Sequence, residues 1–347
     1  MPTFSFALRA LAFTGAWAGV AGAAFAAAPA GCEVVASAAC YVGFEAPGAG
    51  GRLNYYASKS PDDAASAGGP ARALIALHGH PRDANKTFDA AVLAVQRADA
   101  FRDTLVVAPV FQVDATRAAK CLTAGVPAAQ PGDLLWTCSS WLEGGASTNG
   151  AGLGSFAALD ALVVELVRQW PSLRTVTIAG FSAGAQLVQH SIGFAADAPA
   201  GVALRYVVAD PGTWLYFDAF RPEPVDAASC PSVNRWKYGT DALPSHFTHD
   251  AAQARAQYAA AEIHYLEGEL DSGHAKGTAY RLLDKSCAAN AQGPFRLQRG
   301  LAYAGYDRAL LAPAKQRQVT VVPGCAHDVA CVFASPAARA ALLGALN

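Results

Sequence analysis

The sequence predicts an α/β fold: a mostly parallel central sheet flanked by helices. Three observations carry this. Six short runs are apolar or β-branched almost throughout, at 73–77, 104–110, 175–179, 205–209, 263–266 and 319–322. Strands covered on both faces read as such continuous runs, whereas half-exposed strands alternate. Helical patterns lie between the runs, as expected when each parallel strand needs a crossover. Finally, the 347 residues are 53% hydrophobic and only 15% charged, which is ample apolar surface for a large core and excludes a disordered chain. The formal charge of −1 leaves no basic excess to hold a phosphate backbone, so nucleic acid is not an expected partner.

The first element is a leader. Arg9 is the only charge before an apolar stretch from Ala10 to about Ala23, and Ala24-Phe25-Ala26 reads as a cleavage site. Residues 1–26 are therefore expected to be a signal peptide, and 27–347 the mature domain. The stretch is too short and too rich in Ala and Gly to make a good anchor, since a spanning helix needs roughly 20 apolar residues. The expected product is secreted, periplasmic or extracellular, with no stable membrane anchor. Eight cysteines, an even number, agree with an oxidising compartment.

The run ending at Leu77 leads into His78-Gly79-His80-Pro81. A glycine there lets the backbone turn so that a following N–H can face a developing oxyanion. His80, with Ala183, is the expected pair of backbone donors. A competing reading has His78 and His80 as metal ligands, because alternate strand residues share a face. No third ligand stands nearby at metal spacing, so no metal is expected.

The pattern over Ser155–Trp170 sets Leu159, Leu162, Val163, Leu166 and Val167 on one stripe, and Pro171 stops it. The next run enters Gly180-Phe181-Ser182-Ala183-Gly184. Gly-x-Ser-x-Gly between a buried strand and a helix is the arrangement a nucleophilic serine needs. The sharp turn projects the hydroxyl from the sheet, and the glycines leave room for the close backbone approach. Ser182 is the expected nucleophile.

Between Pro211 and about Ala261 the rhythm breaks. Prolines and aromatics replace any strand signal, which predicts a cap inserted at about 211–261. It holds Trp214, Tyr216, Phe217, Phe220, Trp236, Tyr238 and Phe247. Most of these are expected to pack the cap onto the body. Trp214, and Trp141 in an earlier loop, are the candidates for lining a substrate pocket.

In a fold of this kind the acid and then the base follow the nucleophile in the chain. The run at 263–266 ends in Gly268-Glu269-Leu270-Asp271, and the last run is followed by Pro323-Gly324-Cys325-Ala326-His327-Asp328. His327 is the expected general base and Asp271 its acid, with Asp210 and Glu269 as rivals to Asp271. A closing helix is expected over Ser335–Leu346, with Pro336 in its first turn.

From about Leu53 onward the chain resembles the α/β-hydrolase fold family. It also resembles a poorly characterised subgroup of secreted bacterial and fungal serine hydrolases, of esterase or polyester-depolymerase kind. The stretches concerned are His78-Gly79 with Arg82-Asp83-Ala84, Gly180–Gln186, Ala291-Gln292-Gly293 with Arg296 and Arg299-Gly300, and Pro323–Asp328. The resemblance implies a serine hydrolase without cofactor. The oxyanion loop lacks the His-Gly-Gly-Gly form of hormone-sensitive-lipase-like esterases.

The expected reaction is cleavage of a carboxylic ester, small or polymeric, through an acyl-enzyme. A peptidase or amidase on the same residues is the alternative, and a non-catalytic binding protein of the same fold is a third reading. Pairing neighbours along the chain gives Cys32–Cys40, Cys121–Cys138, Cys230–Cys287 and Cys325–Cys331. The last of these would bracket His327.

Overall fold

In the computed structural model the buried runs become strands and their neighbours the crossovers. The structure describes residues 1–2, 31–61, 69–118, 120–121 and 123–345. The expected leader, apart from Met1 and Pro2, lies outside the described residues.

Eight strands form one sheet in the order β1-β2-β4-β3-β7-β8-β9-β10. They are β1 (Tyr41–Ala46), β2 (Gly51–Ala57), β3 (Arg72–Leu77), β4 (Thr104–Val110), β7 (Thr175–Phe181), β8 (Ala203–Ala209), β9 (Ile263–Gly268) and β10 (Val319–Val322). Two short strands, β5 (Gln112–Val113) and β6 (Leu135–Trp136), pair separately. Only β2 runs against the other main-sheet strands, antiparallel to β1 and β4. All six predicted runs are strands. The antiparallel pair β1 and β2 escaped the sequence reading because β1 has one face exposed and β2, though buried, carries Arg52 and Asn54, so neither is a continuous apolar run.

Alternation along each strand feeds two cores. Ala73, Ile75, Leu77, Val176, Ile178, Tyr206 and Val208 point to one face. Leu74, Ala76, Ala179, Phe181, Val207 and Ala209 point to the other. The helices α1 (Ala84–Arg97), α2 (Ser155–Gln169), α3 (Ala183–Ser191), α4 (Ala251–Ala260) and α5 (Arg296–Tyr306) sit in the two outer layers. Buried residues of α1 join the second core; those of α2, α3, α4 and α5 join the first. Helix α2 ends one residue before Trp170, as Pro171 predicted. The closing helix is shorter than expected. It spans Arg339–Leu343 after a single 3₁₀ turn at Pro336–Ala338, and Gly344 at φ 69° ends it. Leu346 lies outside the described residues. Among the described residues no helix is long and apolar enough to cross a membrane.

The insertion after β8 divides into two parts. Residues 211–250 contain no main-sheet strand, while α4, inside the predicted cap, packs on the body. Asp250 and Gln253 form a capping box at its start. Ala254 and Tyr258 are fully buried in the first core. The aromatics of the first part also face inward. Trp214 stacks on Tyr303 with ring centroids 4.4 Å apart, and Tyr216 lies 4.9 Å from Tyr306. The disulfide Cys230–Cys287 ties the insertion to the segment before α5. The other bridges are Cys32–Cys40, Cys121–Cys138 and Cys325–Cys331, and no cysteine is free.

Candidate active site

Strand β7 passes into α3 through Ser182, whose backbone is at φ 58° and ψ −118°. The glycines around it are sterically required. A Cβ on Gly180 would fall on the backbone of Gly184, and one on Gly184 would strike the carbonyls of Leu77 and His78. Ser182 N–H donates to Ala209 O at 2.9 Å, tying the turn to β8. The hydroxyl thus stands at the N-terminus of α3, where the helix dipole favours negative charge.

His327 reaches Ser182 from the loop after β10. Its Nε2 is 2.8 Å from Ser182 Oγ, and its Nδ1 is 2.7 Å from Asp271 Oδ2. Ser182, His327 and Asp271 form one chain of hydrogen bonds, from residues far apart in sequence. Asp271 is buried, and the His327 side chain is 7% exposed. Burial pushes the imidazole below its usual pKa of 6.5, against the bond from Asp271, which raises it. The Phe181 ring packs on the imidazole at 4.7 Å. The His327 N–H donates to Gly277 O, and the bridge Cys325–Cys331 closes the loop around His327.

Neither rival to Asp271 has a hydrogen bond to His327. Glu269 is exposed and accepts the Gly324 N–H at 2.8 Å, so it braces the His327 loop from outside. Asp210 is buried at the end of β8 and accepts the Gly268 N–H at 2.8 Å. Sequence reasoning gave no direct role to Arg296. Its Nη1 lies 3.3 Å from Asp271 Oδ1 and donates to Thr278 O at 2.8 Å. It stood out in the sequence only within the Ala291–Gly300 stretch that carries the family resemblance.

The loop after β3 is held by its own hydrogen bonds. Gly79 N–H donates to Asp83 Oδ1 at 3.0 Å, and Arg82 N–H returns to Gly79 O. Asp83 stands at the N-cap of α1, yet its side chain serves this loop rather than the helix. His80 and Ala183 both line the cavity in front of Ser182. The metal reading of this loop fails on His78. Its Nδ1 lies 2.9 Å from Gly79 O, and its Nε2 accepts the Phe111 N–H. Both ring nitrogens are occupied inside the core, while His80 is exposed.

The cavity holds about 550 Å³. Pro81, Leu142, Phe181, Leu282 and Val329 give it apolar surface, with Glu143, Gln186, Lys237, Asp284 and Arg296 among its polar groups. Lys237 Nζ is 2.7 Å from Glu143 and 3.7 Å from Asp284, so its charge is matched. Trp141 and Trp214, the expected pocket tryptophans, line no part of it. Both are fully enclosed: Trp141 packs 4.5 Å from His78, and Trp214 lies against Tyr303 and Tyr265. A flat indole buries much area, and a core position between strand ends and helices used that area fully. A second cavity of about 600 Å³, walled by Phe156, Phe194 and Phe247, contains none of Ser182, Asp271 or His327.

Strand order, crossovers and the strand–serine–helix turn are those of the α/β-hydrolase fold. Among solved structures, the chain is similar to poly(aspartic acid) hydrolase-1 from Sphingomonas sp. KT-1. The two are 20% identical with a TM-score of 0.58, over 84% of this chain and 94% of that one. It is likewise similar to LpqC, a poly(3-hydroxybutyrate) depolymerase from Bordetella parapertussis. There the identity is 19% and the TM-score 0.58, over 86% of this chain and 87% of that one. No known family and no curated protein matches the sequence.

Proposed function

We propose that this protein is a secreted serine hydrolase that cleaves carboxylic esters. The observation that carries the reading is the unbroken relay from Ser182 Oγ through His327 to Asp271, at 2.8 and 2.7 Å. Ser182 attacks the acyl carbonyl while His327 Nε2 takes its proton. The tetrahedral oxyanion meets the backbone N–H groups of His80 and Ala183. His327 returns the proton to the leaving alcohol, and an acyl-enzyme remains. Water, activated by the same imidazole, then releases the acid and frees Ser182. Asp271 holds the tautomer with Nδ1–H toward itself and stabilises the imidazolium. No metal or cofactor enters any step.

The substrate is a neutral ester, small or polymeric. The ion pairs of Lys237 with Glu143 and Asp284 support this, because they leave that cation matched rather than open to a polyanion. The depolymerase and polymer hydrolase of similar fold make a polyester the first polymer to try. The four disulfides and the leader-like N-terminus support export. An amidase on the same residues is the rival that assay must separate. Purified protein is compared with Ser182→Ala on matched p-nitrophenyl esters, the corresponding anilides, poly(3-hydroxybutyrate) film and poly(aspartate). We expect ester and film cleavage, with anilides and poly(aspartate) far slower, and a loss on the order of 10⁶-fold in the variant. Faster turnover of anilides would reassign the protein as an amidase.

A further inference from the structure

Behind the Ser182–His327–Asp271 relay lies a second buried carboxylate with no assigned task. Asp210 ends β8 with its backbone at φ 50°, in the left-handed region that a residue with a side chain rarely adopts. That turn directs the carboxylate toward the relay. One ligand atom each of Asp210, Asp271 and His327 lies within 4.8 Å of the others. Asp210 Oδ1 accepts the Gly268 N–H, whereas Oδ2 is buried with no partner among the described residues other than the Glu267 carboxyl. Glu267, one strand over on β9, is also fully buried, and its carboxyl meets that of Asp210. Gly300 on α5 makes room for it, since a Cβ there would overlap the Glu267 carboxyl.

We propose that Asp210 is a second positioning residue for His327, able to orient the imidazole when Asp271 cannot. The inference rests on the serine-hydrolase reading above. Three carboxyls in one buried cluster, faced by Arg296, cannot all ionise together. Of the three, Asp271 is the one paired with both Arg296 and His327. Burial first, and then the Asp271 charge, push the Asp210 carboxyl up to about 7. Burial and the Asp210 carboxyl push Glu267 well above the usual range. The proton held by Asp210 and Glu267 keeps them from competing with Asp271 in the intact protein. With Asp271 gone, the like charge that opposes Asp210 is gone as well, and a carboxyl oxygen of Asp210 remains within 4.8 Å of the imidazole.

The groups that face Asp210 and bear on this titration are Glu267, Asp271, Arg296 and His327. The test compares wild type with Asp271→Ala, Asp210→Asn, the double variant and Ser182→Ala, using a p-nitrophenyl ester. Loss of a lone triad acid costs about 10⁴-fold in kcat. With Asp210 in reserve we expect Asp271→Ala to lose about 10²-fold and the double variant the full 10⁴-fold or so. Asp210→Asn alone, which keeps the acceptor for Gly268, loses less than about ten-fold. The acid limb of kcat/KM in Asp271→Ala moves to higher pH than in wild type, because activity then needs Asp210 ionised. A purely structural Asp210 would leave the limb to His327 alone, which loses the raising bond from Asp271, so the limb would move to lower pH.

Equal activity in Asp271→Ala and the double variant overturns the inference while leaving Ser182→Ala inactive and the hydrolase reading intact. Full activity in Ser182→Ala overturns both. Should the double variant not fold, the limb in Asp271→Ala decides: an upward shift supports the proposal, and an unmoved or lowered limb refutes it.

Discussion

Ser182 holds a backbone conformation that costs on the order of 1–3 kcal/mol for a residue with a side chain. The sheet compensates through the Ser182 N–H bond to Ala209 and through glycines at 180 and 184, where any Cβ would strike backbone. The partner residue, His327, sets the pH range. The general base must be neutral, and burial holds its pKa below 6.5. A lowered pKa means that the proton is lost earlier as pH rises. The acid limb of kcat/KM should therefore lie below pH 6.5, measured with a neutral ester so that the substrate does not titrate. A limb above that value would show the imidazolium favoured in the site, as weak burial or a stronger bond from Asp271 would produce. Ser182, His327 and Asp271 were legible in the sequence because each follows a recognisable strand end in the required order. Arg296 was not, because nothing in a linear pattern says which buried cation meets which buried acid.

At the scale of elements, the six runs that became strands were legible because burial on both faces leaves no alternation to misread. Strand β1 was hidden by its exposed face and β2 by Arg52 and Asn54 within it, and the closing helix was overextended because Gly344 was not read as its stop. The insertion after β8 teaches the most. Its aromatics signalled burial correctly, but composition does not say which surface they bury. Trp214 and Tyr216 went to the tyrosines of α5, and the final turns of the stretch became the crossover helix α4. The His327 loop makes a testable element. Its bridge spans a separation of 6 residues, and closing so short a loop contributes about 2 kcal/mol in the chain-entropy account. Its larger consequence is positional, since a displacement of about 1 Å at a reacting group can cost roughly 10²-fold. Replacing Cys325 and Cys331 together with serine should lower kcat by about ten-fold or more while changing KM little. Steady-state kinetics beside a thermal melt would check this. A variant with lower melting temperature but unchanged kcat would make the bridge purely stabilising.

Across the whole molecule, the three-layer arrangement brings together groups that the chain keeps far apart. The neighbouring ends of β3, β7, β8 and β9 open on one side of the sheet, and the loops beyond them carry His80, Ser182, Asp210 and Asp271. His327 completes the set from the loop after β10. The low charged fraction first read as a sign of a large core also suits this site, whose cavity combines apolar walls with matched ion pairs. Fold similarity at about 20% identity identifies the scaffold, and the chemistry depends on whether Ser182 is activated. That is measured most directly by treating the folded protein with a fluorophosphonate and determining intact mass and the modified peptide. Serine activated by His327 predicts one adduct per chain, on Ser182, absent from Ser182→Ala and strongly slowed in His327→Ala. An unlabelled protein, or a label that persists in Ser182→Ala, would contradict the account.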